Sequence, residues 1–416
     1  MSIPEVFFRE TIDLNRFSNA VAKKYAVTYN EVILNAAKRL REIDFRQRRA
    51  GEAVIIAPET RKRLRAIIKQ AKDSLNTWSG ATARDFKKEL QGITLLQRDF
   101  IVNELKKVTA SGDVPINSVA ISPKYAESVI MTDPTQVNIF TTQQFKEDAF
   151  KRFGAGKFEL TATQGSAITL PNGETVNKAF RGIAASSQEK LALAIRSGVF
   201  SGETSQQIAR RLVGQLNFAD FGPLSVKQLA ASGGELTKLA NHQIQTIVRT
   251  SVNQVQNQAS QAVYAANSKV APKYEYVATL DSKTTPICQR LDGQQFEYNK
   301  GPTPPQHFNC RSTTVPVVDF DGLQEKYPGL EKPPETALDT RPSMTGRVPQ
   351  GQAYGDWLLD QKKELQIKTL GNEQRVRFFK TLAGKKGSSG QKALRQIIRS
   401  DGTEKTLDQI KKEYKL

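Results

Sequence analysis

Cysteine and histidine are scarce in this chain of 416 residues, with two of each. Two cysteines exclude a disulfide scaffold and fit assembly in a reducing cytoplasm. Long apolar runs are also lacking, so no stretch is long enough to span a bilayer, and no membrane partner is expected. The N-terminus, MSIPEVFFRETIDLNRF, has no charged region followed by an apolar run, as a secretory signal would. Tandem repeats and long low-complexity tracts are absent. Phosphate-cradling glycine loops and paired-carboxylate motifs are missing too, which removes the usual sequence signs of a substrate pocket.

What is present is enough for a packed core. Hydrophobic residues make up 38% and charged residues 25% of the chain, which argues against wholesale disorder. The length allows two or three domains. Lys and Arg number 61 against 42 Asp and Glu, a formal net charge of +19. Such an excess points to a polyanionic partner, because clustered cations release counterions from nucleic acid or bind an acidic surface. A merely solvated basic surface is the competing reading.

The first third reads as helices. Leu64, Ile68, Ala71, Leu75 and Trp78 recur at three-and-four spacing, with Pro58 as a start signal and Ser79-Gly80 as a stop. Phe86, Leu90, Ile93, Phe100 (or Ile101), Leu105 and Val108 predict a second helix, ended by Ala110-Ser-Gly-Asp113. Arg61, Lys62, Arg63, Arg65, Lys69 and Lys72 crowd the start of the first, where the helix dipole disfavours cations. An external anion or acidic partner can compensate, and a plain solvated face is the alternative. Between Phe158 and Val176, β-prone runs and Pro171-Asn-Gly173 predict a hairpin. Helix resumes at Lys178, and Ser201-Gly-Glu-Thr204 precedes a short capped helix carrying Ile208, Ala209, Leu212 and Val213.

A longer helix is expected from about Glu235 to Asn267. Its apolar line is Ile244, Ile247 (or Val248), Val255, Ala259, Ala262 and Ala266, with His242, Arg249, Asn253 and Gln256 on another, polar face. Beyond it, three strands are expected within Tyr274–Leu280, Gln295–Tyr298 and Ser312–Val318. Prolines from Gly301 to Pro349 suggest a linker. Helix returns at Tyr354 with a basic tail that includes Lys385, Lys386, Arg395 and Arg399.

The chemistry-bearing residues sit in TLDSKTTPICQRLDGQQFEYNKGPTPPQHFNCRSTTVPVV, residues 279–318. Cys288, His307 and Cys310 are soft or borderline ligands around a Gly- and Pro-rich loop, with Asp281 or Asp292 near enough in sequence to add a fourth. Zinc tolerates such a set. A usual structural site offers a second close pair, and Thr285 stands where Cys-x-x-Cys would need it. Three other readings stay open. One is a pair of buried thiols with Asp281, His307 and Arg311 hydrogen-bonding the loop ends, which is the preferred one. Another is a disulfide formed after release from the cell. The last is a Cys288 nucleophile with His307 as base and Asp281 orienting it.

The run Asp281-Ser-Lys-Thr-Thr-Pro-Ile-Cys288, then Leu291-Asp292-Gly293, then Pro305-Gln-His307-Phe-Asn-Cys310-Arg311 resembles the signature of phage Mu F-like minor head proteins. Arg249-Thr250, with Asn253 and Asn257, resembles the Arg-Thr helix that precedes that signature. Tyr354-Gly-Asp-Trp357-Leu358, Gln361, Leu370-Gly371, Arg375 and Thr406-Leu407 resemble the family's tail. The likeness runs from about Ala184 to the C-terminus. Some members carry Cys where this chain has Thr285. The resemblance implies a low-copy virion component at the portal vertex that serves head assembly and DNA packaging, retention or ejection. It identifies no catalytic residue.

The expected fold is α+β and predominantly helical. Residues 1–112 form an N-terminal helical region and 113–183 a mixed connecting region with a β-hairpin. Residues 184–320 form the Mu F-like domain, with long central helices and a small antiparallel β-unit carrying the Cys/His loop. Residues 321–350 are a Pro-rich linker, and 351–416 a basic helical tail. Expected partners are the portal protein, capsid or scaffolding proteins, and double-stranded DNA contacted without regard to sequence. The DNA- or partner-binding set is Arg61, Lys62, Arg63, Arg65, Lys69, Lys385, Lys386, Arg395 and Arg399. No cofactor is required, with zinc as the possible ion. An enzyme is not expected. A nuclease or toxin-like tail is the alternative, and with no His or Cys after Pro349 it would use Lys, Arg, Tyr354 or acidic groups. A zinc-dependent binding module is the third reading.

Overall fold

A computed structural model describes residues 3–43, 57–117, 170–214, 234–298, 300–333 and 340–415. Five helices build the larger body: α1 (Ile3–Arg41), α2 (Pro58–Val108), α3 (Val176–Phe200), α4 (Ser205–Val213) and α5 (Glu235–Ala266). The two helices expected within 58–108 are one continuous helix of 51 residues. Ser79-Gly80 does not stop it, because Ser79 is buried and its hydroxyl donates to the Asn76 carbonyl inside the helix. Packing along both flanks outweighs the cost of a glycine, which is about 1 kcal/mol. Tyr25 and Tyr29 of α1, Trp78 and Phe86 of α2 and Phe180 of α3 meet edge to face at centroid distances of 5.2–6.1 Å.

At the centre lies α5. Its apolar line is buried as the spacing predicts, and so are Asn253 and Gln256 of the face expected to be polar, while His242 is exposed and Arg249 half-buried. Asn253 and Gln256 are only 3% and 2% exposed. Asn253 donates to the Ser312 carbonyl at 2.9 Å, and Gln256 donates to the Thr11 hydroxyl at 2.9 Å. These amides fasten the interior through their donating nitrogens, while the buried Asn253 Oδ1 has no hydrogen-bond partner among the described residues.

The β-unit follows α5. Strands β1 (Lys273–Val277), β2 (Gln295–Glu297) and β3 (Thr313–Val317) form an antiparallel sheet in the order β2-β1-β3, with Tyr274 opposite Phe296 and Pro316. The one-turn helix α6 (Pro286–Leu291) bridges β1 and β2, and α7 (Phe320–Gln324) follows β3. The stretch read as a linker contains α7 and a hairpin, β4 (Thr340–Ser343) with β5 (Gly346–Pro349). Proline is tolerated there because a two-stranded hairpin is all edge. The expected hairpin between 158 and 176 lies mostly outside the described residues. Its described end is a turn at Gly173, with φ +79°, leading into α3.

The tail is a second small core built by α8 (Tyr354–Leu359), α9 (Lys363–Leu370), α10 (Glu373–Ala383), α11 (Gly390–Ile397) and α12 (Leu407–Tyr414). Tyr354, Trp357, Leu358, Phe379, Leu394 and Ile397 fill it together with Leu280 of the β-unit. Helices α8 and α11 touch backbone to backbone. A Cβ on Gly355 would sit 2.4 Å from the Gly390 carbonyl carbon and oxygen. Gly355→Ala is therefore expected to cost about 1–3 kcal/mol by overpacking, read as a lowered urea midpoint at unchanged slope.

Candidate functional site

The short helix α6 delivers Cys288, and the loop between β2 and β3 delivers His307 and Cys310, to one point. Both thiols are buried and unbridged, with their sulfurs 3.8 Å apart. The disulfide reading thus describes a bond not made here. His307 Nε2 lies 3.4 Å from the Cys288 sulfur, and the ring's Nδ1–H donates to the Phe308 carbonyl at 2.8 Å. Among the described residues, these three form the one group of His, Cys, Asp or Glu side chains whose ligand atoms, all within 4.8 Å, could hold a metal ion. The buried Tyr276 hydroxyl stands 3.2 Å from the Cys288 sulfur.

The two thiols differ in character. The hydrogen bond between them, aided by burial, pushes Cys288 up, so it keeps its proton. The same bond holds Cys310 well below the usual thiol range, with His307 adding to the effect. Burial alone would lower His307, but the hydrogen bond and negative charge of Cys310 outweigh it and raise the imidazole.

Asp281, expected as a fourth ligand, is engaged elsewhere. Its Oδ1 accepts from Arg311 Nη2 at 2.9 Å and from the backbone N–H groups of Lys283 and Thr284 at 2.9 and 3.0 Å, while Oδ2 pairs with Arg311 Nη1. Burial works to raise its carboxyl, yet the Arg311 guanidinium and those amides keep it below its ordinary value. Asp281 holds the loop mouth and is not a ligand. Nor can it orient His307 for catalysis, since the imidazole's Nδ1 is taken by Phe308.

The second signature aspartate is a junction. Asp292 is fully buried, and its carboxylate accepts from the Ala278 N–H at 2.6 Å and from the Tyr354 N–H at 2.7 Å. Arg341 of the β4–β5 hairpin meets it with two parallel bonds of 3.1 Å. Gly293 then turns the chain at φ +70°, a conformation that favours glycine, and its N–H returns to the Tyr276 carbonyl. One carboxylate thus ties β1, the hairpin and the first helix of the tail. Gln391 adds a donor to the Gln289 and Asp292 carbonyls, at 2.8 and 3.1 Å. Sequence reasoning missed Arg341 and Gln391, because neither carries a local signal.

Arg395, assigned from sequence to a DNA-facing set, is half-buried and donates to the Arg290 and Asp292 carbonyls. It braces the tail and is removed from that set. Arg399 is half-buried and occupied by Thr403, the Glu404 carbonyl and Gln409. Lys385 and Lys386 are exposed. Arg249 donates to Asn19 and sits beside Arg311 in a polar cleft of about 820 Å³ between α1, α5 and the Cys/His loop. Both histidines, His242 and His307, line this cleft.

Arg61, Lys62, Arg63, Arg65, Lys69 and Lys72 are exposed along the first turns of α2 and have no carboxylate partner among the described residues. Tyr25 bonds Asp85 and Thr28 bonds Trp78, and Ala36 and Arg39 flank Ile67 and Gln70, so α1 and α2 run antiparallel. The basic end of α1, with Lys38, Arg39 and Arg41, therefore reaches the basic start of α2. This convergence was not visible from spacing alone.

The fold and site define an α+β protein in which a Cys/His-centred β-unit braces two helical parts. Residues 189–315 match the family model described as Phage Mu protein F like protein, and this match supports a phage Mu F-like head-morphogenesis protein. The matched residues run from within α3 to β3 and include the whole signature, whereas the tail lies beyond them. No curated protein and no solved structure matches the chain.

Proposed function

We propose that the protein is a minor structural component of the phage head, seated at the portal vertex, where it serves head assembly and the packaging, retention or ejection of duplex DNA. The family supports the head role. The DNA role rests on one observation, the joined basic ends of α1 and α2. Six exposed cations occupy the first turns of a helix that has no side-chain cap. There the dipole and the cations repel one another, and phosphate oxygens relieve both. Aromatic side chains are not interleaved with these cations, which favours duplex backbone over stacked single strands. Lys385 and Lys386 supply a second, smaller contact. Among the described residues no helix is long and apolar enough to cross a membrane.

The β-unit has a supporting part in this reading. It fixes the tail to the helical body, so that the basic end and the tail keep one relative geometry. Co-sedimentation of the purified chain with its own phage's portal protein is the test of docking. Binding of the chain to portal rings is expected, and its complete absence at low ionic strength would remove the portal from the proposal.

A further inference from the structure

We infer that Cys288, His307 and Cys310 bind one zinc ion, a site that goes beyond the head-assembly reading and does not depend on it. With Zn–S near 2.3 Å and Zn–N near 2.0–2.1 Å, a tetrahedral ion sets its sulfurs about 3.8 Å apart and sulfur to nitrogen about 3.5 Å apart. The observed separations are 3.8 Å for the sulfurs and 3.4 Å for Cys288 Sγ to His307 Nε2. A disulfide would bring the sulfurs to about 2.05 Å. The ligand atoms of Cys288, His307 and Cys310 all lie within 4.8 Å of one another, as one shared ion requires.

The surroundings fit a ligand set. Donation from His307 Nδ1 to the Phe308 carbonyl fixes the tautomer that leaves Nε2 aimed at the sulfurs, the outer-shell arrangement typical of metal-binding histidine. Asn309, between the last two donors, takes a left-handed conformation at φ +58° and is pinned to α5. Its N–H donates to the Thr250 hydroxyl and its side chain to Thr246, at 3.0 and 3.1 Å. The Cys310 N–H closes the loop on the His307 carbonyl at 3.2 Å. Two thiolates and an imidazole select zinc over magnesium or calcium, which prefer oxygen. Three protein ligands leave one position for water, and the half-buried His307 lines the polar cleft through which ion and water enter. On binding, the ion replaces the proton shared by the thiols, which leaves to solvent. It would tie α6 to the loop between β2 and β3.

The test is elemental analysis of the full chain, purified without chelator or metal-affinity resin, beside His307→Asn and Cys310→Ser. The expected content is about one zinc per wild-type chain and below about a tenth in either variant. Chelation is expected to lower the melting temperature of the wild type and to leave that of His307→Asn unchanged. Should Cys310→Ser fail to fold, His307→Asn on its half-exposed loop decides, with circular dichroism confirming its helices. A wild-type chain that holds no zinc and takes none up from micromolar solution would overturn the inference. So would zinc retained by His307→Asn, or a different metal in the site.

Discussion

Asp292→Ala is expected to destabilise the protein by about 3–5 kcal/mol, because it strands the buried Arg341 guanidinium without its counter-charge. Two backbone donors, from Ala278 and Tyr354, lose their acceptor in the same step. The loss should be structural as well as thermodynamic. With the junction gone, the tail separates from the β-unit, and limited proteolysis is expected to cut between the hairpin and α8 before the helical body unfolds. Pairing the change with Arg341→Met removes the stranded charge and should recover part of the stability. Chemical denaturation of the four proteins in the cycle measures this coupling. A single variant within about 1 kcal/mol of wild type would show that the buried pair holds nothing together.

Replacing Arg61, Lys62, Arg63, Arg65 and Lys69 by Gln is expected to remove most duplex affinity while leaving the fold intact, since all five are exposed. If each meets a phosphate, the slope of log K against log salt falls by about 4.5. For the wild-type chain, those five contacts alone weaken binding on the order of 500-fold over a fourfold rise in salt. Fluorescence anisotropy with mixed-sequence duplexes reads both quantities. Arg395→Gln serves as a contrast: it should reduce stability with little effect on the slope, because that side chain faces protein carbonyls. An unchanged slope in the five-residue variant would place DNA contact elsewhere.

Much of the fold could be read from the chain because local patterns decide it. The long central helix and the three strands of the β-unit lie where periodicity and alternation put them, and the short helix expected after Thr204 forms with a cap. Failures came where tertiary packing overrides a local rule. Ser79-Gly80 reads as a stop, yet neighbours on both sides carry the helix through it. Asn253 and Gln256 read as part of a polar face, and nothing in the sequence announces that the β-unit and another helix will cover them. The candidate site was half legible. Its three donors were named from residue type and spacing, but Asp281 was assigned to them when Arg311 holds it. The role of Asp292 depends on Arg341, 49 residues later in a stretch that reads as linker.

The proposed head role places this chain in the finished particle. Quantitative mass spectrometry of density-purified particles of the phage that encodes it tests that most directly. The chain is expected in full heads at a copy number far below that of the major capsid protein and comparable with the portal. Its absence from both filled and empty heads, with portal and capsid proteins present, would exclude a head role.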